Sequence, residues 1–407
     1  MKLDRFFENI PAASVGKNKE TNGSGDIRGL PDGEWVSRGV YRTENFYKIG
    51  GVYGREEFGD PENMKIMSQL GAKSGVVFLD LETTGLSGGT GTYAFLCGLG
   101  ATSGEYFKVT QYFLKSPAYE AQWLEAVDAG ILEGTTLVTY NGIAFDVPML
   151  HTRHIMSRLR PLWESFSHID LLHLSRRFYR GYLESCSLGN VERRVLGMQR
   201  SGEDVPGSVI PSLYRQYLHT LDASGLSGVF YHNMLDIASL ASLYCHIARA
   251  LAGRSGDSRE HLRAGDIWND RGQRKLALYL WNMAASDPSS RIEATFRMAY
   301  FAKKNKDHVA AKNFFTNALG EMESNPRKEG SLSVRITALE ELAKLEEHRF
   351  KSPDRALRHV RSALELVKKN RLYGGKYDAA MIAAMERRRT RLEKKIRETA
   401  KTGSDEN

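Results

Sequence analysis

Short apolar runs broken by turn-forming residues fill positions 75–140, and helical periodicity takes over completely beyond about residue 251. VVFLDLE (76–82) is an apolar run that ends in acids and suits a buried strand. AFLCGLGAT (94–102) and the aromatic-rich YFKVTQYFL (106–114) predict two more strands joined by a GATSGE hairpin turn. YEAQWLEAVDAG (119–130) has helical spacing, and TTLVTY (135–140) returns to strand. The order βββαβ, with helices after it, predicts an α/β domain on a mixed, partly antiparallel sheet rather than a doubly wound dinucleotide fold. Residues 1–35, rich in Gly, Asn and Lys, read mostly as a flexible arm.

The helical part carries a repeat. Ala277, Trp281 and Ala284 recur as Ala311, Phe315 and Ala318, 34 residues on, and as Ala356, Val360 and Ala363 after a longer interval. The first interval is the tetratricopeptide period, and small residues two turns apart let a neighbouring helix approach closely. The alternative is an irregular helical bundle. AAMIAAMERRRTRLEKKIRETAK (379–401) reads as a closing basic helix. The predicted organisation is an N-terminal extension over 1–74, an α/β domain over 75–250, helical repeats over 251–401 and a tail over 402–407.

Charge divides along the same line. Residues 1–250 hold 24 Lys and Arg against 27 Asp and Glu, whereas residues 251–407 hold 33 against 22, within a net charge of +8. The basic half is either a solvated helical surface or a surface for a polyanion such as nucleic acid. A hydrophobic content of 41% excludes wholesale disorder. The sequence shows no apolar stretch of the ~20 residues that span a bilayer and no signal-peptide core, so a cytoplasmic protein without membrane association is expected. Three cysteines, with no C-x-x-C, do not form a disulfide framework or a zinc knuckle.

Asp80 and Glu82 lie two apart on the first strand and therefore share one face. Neighbouring carboxylates repel and raise each other's pKa unless a cation separates them, and oxygen donors suit Mg²⁺ or Mn²⁺. NGIAFDVP (141–148) places Asp146 at a strand-to-helix junction, where it could reach into a site or merely cap the helix. In YHNMLD (231–236), His232 and Asp236 are spaced i, i+4 and share a helix face. Asp170, in HIDLLH, is read as a helix cap in preference to a fifth acid. Arg176, Arg177 and Arg180 could meet phosphates and Phe178 and Tyr179 could stack on bases; a plain basic face fits equally well. The glycine-rich loop 85–91 is neither a dinucleotide fingerprint, since no helix or suitably spaced acid follows, nor a P-loop.

Taken together, D-x-E, then N-G-x-x-F-D, then an acid preceded by His or Tyr resemble the DEDD (DnaQ-like) superfamily of 3′–5′ exonucleases, which have a ribonuclease H-like fold. The phrase NGIAFDVPML, with Arg153 beyond it, looks like the proofreading exonuclease of B-family polymerases. DLETTGLSGGTGTYAFLCGLG (80–100), CSLGNVERRVLG (186–197) and DVPGSVIPSLY (204–214) resemble the bacterial YprB-like branch, in which tetratricopeptide-like helices follow the domain. The resemblance implies two divalent cations, Mg²⁺ or Mn²⁺, held by Asp80, Glu82, Asp146 and Asp236. It implies substrate contacts at Thr83, Gly85, Leu86, Asn141, Phe145 and Tyr231, with Leu86 a wedge against the terminal nucleotide.

The pattern departs from the superfamily at one point. Members carry Tyr four residues before the last Asp or His five before it, whereas here His232 is at minus four and Tyr231 at minus five. This leaves the general base open between them; helical geometry favours His232, whose imidazole can accept a proton near neutrality. The expected activity is 3′–5′ hydrolysis of single-stranded DNA or RNA, with a protein partner for the repeats as a further expectation. The alternatives are a weakly active or inactive nuclease-like scaffold and a structure-specific endonuclease.

Overall fold

The computed structural model describes residues 27–54, 56–57, 66–72, 75–85, 91–131, 135–161, 166–200, 204–324, 331–372 and 379–404. It divides into two compact units, Met1–Arg254 and Ser255–Asn407.

The first unit is built on a seven-stranded sheet. Its strands are β1 (Glu34–Ser37), β2 (Val40–Lys48), β5 (Val76–Thr83), β6 (Ala94–Ser103), β7 (Tyr106–Leu114), β8 (Thr136–Thr139) and β9 (Ser167–Asp170). A separate two-stranded ribbon is formed by β3 (Val52–Tyr53) and β4 (Glu56–Glu57). The order is β1-β2-β7-β6-β5-β8-β9. Pairing is antiparallel from β1 to β5 and parallel from β5 through β8 to β9. This is the mixed sheet that the run order predicts. The expected separate extension over 1–74 is corrected for its described part. β2 pairs with β7 over nine positions, from Val40↔Leu114 to Lys48↔Tyr106, and is a strand of the main sheet.

Helices α1 (Glu120–Ala129), α2 (Asp146–Met156), α3 (Leu171–Tyr179), α4 (Leu188–Val191), α5 (Ile210–Thr220) and α6 (Ser227–Leu251) flank the sheet. Trp123 of α1 is fully buried and donates Nε1–H to the Tyr112 carbonyl at 2.9 Å. Arg153 of α2 forms two 2.5 Å contacts with Glu120 and lies 4.1 Å above the Tyr93 ring. Both partners are buried, so this ion pair is paired on all sides rather than left as an orphan charge. Phe95 and Tyr214 stack at 4.0 Å and pin α5 to the sheet.

Helix α6 sets the geometry of the unit. The helical stretch Ser224–Leu251 that contains it is long and apolar enough to cross a membrane, with an 18-residue window of mean hydropathy 1.2, but 83% of that window is buried within the protein. It packs on β5, β6 and β7. A helix apolar all round belongs in a core. It comes this close because β6 offers glycine where it crosses: a Cβ on Gly98 would lie 2.4 Å from Asn233 Oδ1 and 2.8 Å from Ile237 Cγ1. A Cβ on Gly100 would lie 2.5 Å from Ile237 Cγ2.

The second unit contains α7 (Ser258–Asp270), α8 (Arg274–Ser286), α9 (Arg291–Lys304), α10 (His308–Ser324), α11 (Ser331–His348), α12 (Pro353–Leu372) and α13 (Ala379–Ser404). Each helix packs on the next in sequence. The three repeated sets, Ala277/Trp281/Ala284, Ala311/Phe315/Ala318 and Ala356/Val360/Ala363, are all buried. Trp281 occupies the space beside Gly265, where a Cβ would lie 2.5 Å from its ring. Part of the basic charge is committed internally. Arg391 makes two 2.9 Å hydrogen bonds to Glu347, Arg388 lies 3.6 Å from the same carboxylate, and Arg361 pairs with Glu393 at 2.9 Å.

Gly98→Ala should destabilise the first unit by about 1–3 kcal/mol, the usual cost of overpacking, because the buried side chains of Asn233 and Ile237 on α6 must move. Gly207→Ala, with nothing within 4 Å of the added carbon, should be close to neutral. Denaturant melts of the two full-length variants check the difference; equal midpoints would remove Gly98 as the spacer.

Candidate active site

Asp80 and Glu82 project from one face of β5, with Gly98 and Leu96 as their register partners on β6. Asp146 opens α2 and is buried. His232 and Asp236 come from the first turns of α6. Ligand atoms of Glu82, His232 and Asp236 all lie within 4.8 Å of one another. Asp80 joins them electrostatically with Asp236, Glu82 and Asp146 as neighbours. The structure thus brings together the acids and the histidine that the sequence singles out.

The protonation behaviour follows from crowding in a dry place. Burial, then Asp236, Glu82 and Asp146, push Asp80 well above the ordinary carboxylate range. Glu82 is raised likewise by burial and by Asp236 and Asp146. Asp146 rises to about 7, again mainly through burial, although backbone hydrogen bonds at Asp146 and Leu81 oppose it. Asp236 is raised by burial against the pull of Arg200 and His232.

Several partners here were not legible in the sequence. Asn233, fully buried on α6, donates Nδ2–H to Asp80 Oδ2 at 2.9 Å and to the Asp80 carbonyl at 3.2 Å. Its Oδ1 accepts from Gln111 of β7 at 2.9 Å, and Gln111 accepts from Thr43 of β2 at 3.1 Å. The chain of bonds anchors Asp80 to two further strands. The available signal was an Asn in an apolar helix, since a buried amide must be hydrogen-bonded. Arg200 donates to Asp236 and to both oxygens of Glu192 at 2.6 and 2.8 Å, and reaches Asp204 at 3.3 Å. Burial alone would make the guanidinium less basic, but Asp236 and Glu192 outweigh it and raise its pKa. No spacing rule marked Arg200; Glu192 and Asp204 lie in the stretches 186–197 and 204–214.

His232 Nδ1 lies 2.6 Å from Asp204 Oδ1 and Nε2 lies 3.4 Å from Asp236 Oδ2. Tyr231 interacts instead with Tyr47 of β2. Thr83 is buried at the end of β5 and donates to the Gly85 carbonyl at 2.7 Å. Gly85 is half-buried, with Thr92 Oγ1 3.3 Å from where its Cβ would be. Leu86, the expected wedge, lies outside the described residues. Phe145 is half-buried at the N-cap of α2.

Asp170 is a cap, as its context predicts: it caps α3 through the Leu172 amide at 2.9 Å. Its carboxylate also takes the amides of Asn141 at 2.9 Å and Ile143 at 3.2 Å. It thereby holds the loop that delivers Asp146, in which Asn141 is left-handed at φ 67. The stacking reading of Phe178 and Tyr179 is corrected: both are buried in the core beneath α3 and present no face to a base. Arg176, by contrast, is exposed and lines a pocket of about 440 Å³ with Tyr140, Asn141 and Cys186.

The donor set fits a hard divalent cation. Carboxylate oxygens predominate; burial and mutual repulsion push Asp80, Glu82 and Asp146 above the ordinary carboxylate range, and among the described ion pairs of these four acids the guanidinium of Arg200 pairs with Asp236.

These features define a ribonuclease H-like domain: residues 77–248 match the RNase_H superfamily. The likeness to one relative extends beyond that domain. The chain is 33% identical over 305 residues to the Bacillus subtilis (strain 168) protein YprB, spanning 72% of this chain and 70% of that one, and it belongs to the YprB family. Among solved structures it is similar to the family B DNA polymerase of Pyrobaculum calidifontis, at 14% identity and a TM-score of 0.34 over 64% of this chain and 34% of the polymerase. It is also similar to E. coli exonuclease I in complex with a dT13 oligonucleotide, at 16% identity and a TM-score of 0.27 over 40% and 45% of the two chains.

The raised carboxyl pKa values fix a pH dependence. These groups bind protons more tightly folded than unfolded. Their contribution is therefore complete below the ordinary carboxylate pKa and is lost as pH rises through the folded values, near 7 for Asp146. In chelator, the melting temperature should fall from pH 5 to pH 8, and Mn²⁺ should flatten the fall. His154, where burial is outweighed by the bond to Asp128, contributes with the same sign. Asp146→Asn keeps that pair and should remove only its own part of the slope. An identical slope in the variant would contradict the assignment.

Proposed function

We propose that this protein is a metal-dependent 3′–5′ exonuclease that hydrolyses phosphodiester bonds of single-stranded nucleic acid. The observation that carries the reading is the convergence of Asp80, Glu82, Asp146 and Asp236 at one buried point beside an imidazole nitrogen. Mg²⁺ or Mn²⁺ held there, as one ion or the pair typical of phosphoryl-transfer sites, would supply Lewis-acid stabilisation of the phosphoryl oxygens. The chain's own residues do the remainder. Asp80, Glu82, Asp146 and Asp236 would hold the cation. Asn233 keeps the Asp80 carboxylate turned inward. His232 takes the proton of the attacking water at Nε2, the nitrogen that faces Asp236. Tyr231, on the Tyr47 side of the helix, is left to orient water or substrate. Thr83, Gly85, Asn141, Phe145 and, from the adjoining loop, Leu86 receive the terminal nucleotides.

The basic second unit is read as tetratricopeptide-like helices that guide nucleic acid or hold a protein partner, and the setting as cytoplasmic. The internal ion pairs of Arg388 and Arg391 with Glu347 fix where part of the charge sits but leave the excess of 33 Lys and Arg over 22 Asp and Glu in residues 251–407 unchanged. One observation favours a nuclease-like scaffold instead: Arg200 already gives Asp236 a cation.

Digestion of matched 3′- and 5′-labelled single-stranded DNA and RNA, with Mg²⁺ or Mn²⁺, tests the reading. Release of the 3′ label as mononucleotides and resistance of a circular substrate are expected. Asp80→Asn should lose more activity than the ~10–100-fold typical of an outer-sphere partner while remaining folded. Cleavage of the circle would make the enzyme an endonuclease; wild-type turnover in Asp80→Asn would remove Asp80 from the chemistry.

A further inference from the structure

His232 has two nitrogens, and the reaction proposed above needs one particular nitrogen to be bare. A neutral imidazole carries its proton on Nδ1 or on Nε2, and the hydrogen bond made by one nitrogen decides the state of the other. The neighbours of His232 are unequal. Asp204 Oδ1 lies 2.6 Å from Nδ1, a separation that requires a proton between oxygen and nitrogen. Arg200 stands 3.3 Å from the second Asp204 oxygen, which favours the ionised carboxylate, so the proton belongs to the ring. Arg200 Nη1 also lies 3.3 Å from Nδ1, but a guanidinium only donates and cannot accept the Nδ1–H. On the other side, Asp236 Oδ2 is 3.4 Å from Nε2, outside ordinary hydrogen-bond range, and its Oδ1 is engaged by Arg200. The pair is sheltered: the side chains of His232 and Asp204 are each 16% exposed.

We propose that Asp204 is a positioning residue that holds His232 as the Nδ1–H tautomer, so that the lone pair of Nε2 faces the space shared with Glu82 and Asp236. The inference rests on the exonuclease reading for its catalytic meaning and on geometry alone for the tautomer. Asp204 is assigned its role through the ring that it bonds. Arg200 ties this device to the rest of the site, because the same guanidinium holds Glu192, Asp204 and Asp236. Balanced for protons, the step moves the proton of the attacking water onto Nε2 while Nδ1–H stays with Asp204, giving an imidazolium held at Nδ1 by the Asp204 carboxylate.

The test uses the full chain labelled with ¹⁵N-histidine, in chelator at a pH where the ring is neutral, with His232→Gln to assign its signals. A protonated Nδ1 and a bare Nε2 are expected, the reverse of the tautomer that predominates in a free histidine side chain. In Asp204→Asn, whose amide can both donate and accept, that preference should be lost. The same variant should lower kcat by ~10²–10⁴-fold, the range for loss of general-base function, with little change in KM and an unchanged melt. Asp204→Glu should recover part of it. A bare Nδ1 in the wild-type chain would overturn the proposal, as would a wild-type kcat in Asp204→Asn when Asp80→Asn is inactive. If the wild-type chain hydrolyses no nucleic acid, the function falls, and the nitrogen signals alone decide the role of Asp204.

Discussion

Helix α6 can bring a carboxylate up to a strand only where the strand has no side chain at the crossing, and the first unit depends on that contact. Gly98 sits opposite Asp80 in register, and the atom nearest to its absent Cβ is Asn233 Oδ1. One missing methyl group therefore decides two things. It seats α6 on the sheet, and it lets the Asn233 amide reach Asp80. Asp236, one turn along the same helix, then stands beside Glu82. The cost of this placement is electrostatic. Like charges meet in a volume from which water is largely excluded, and their pKa values rise. A site that destabilises itself in this way gains most from a cation. Arg200 meets that need at one edge, on Asp236, and leaves Asp80, Glu82 and Asp146 without an equivalent partner among the described ion pairs.

The surrounding scaffold spends its polar groups on holding this cluster still. Thr43, Gln111 and Asn233 run from the second strand to the Asp80 carboxylate, and Asp170 fixes the loop before Asp146 with two amide bonds, from Asn141 and Ile143. Each donor and acceptor in these chains is paired, as buried polar groups must be. The second unit follows a simpler rule. Its helices pack on small residues and large rings repeated along the chain, and its buried glutamates are matched by Lys303, Lys312 and Arg391. These pairs are neutral, so the excess of 33 Lys and Arg over 22 Asp and Glu in residues 251–407 is unchanged by them.

What the sequence made legible was local. β5, β6, β7, α1 and β8 all coincide closely with runs read from apolar pattern, because the strands bury nearly continuous stretches of their own residues and α1 buries one face through Trp123, Leu124 and Val127. β2 escaped because Arg42 and Glu44 interrupt its apolar positions and its pairing partner is β7, distant in sequence. β9 escaped because SHID has one aliphatic residue and borrows its register from β8. The acids and His232 were found by spacing, which is a property of one strand or one helix. Arg200, Asp204 and Gln111 were not given roles, since their meaning exists only once separate elements meet. Phe178 and Tyr179 misled for the opposite reason: next to three arginines they look like a binding surface, yet they face the core.

The account stands or falls on whether the crowded carboxylates are a cation site. Calorimetric titration of the full chain with Mn²⁺, repeated in buffers of different ionisation heat, measures both binding and the protons displaced. Saturable binding with net proton release is expected, greater at pH 6 than at pH 8, because Asp146 with its pKa of about 7 must give up its proton to admit the ion. Binding without proton release, or no binding at millimolar Mn²⁺, would contradict it.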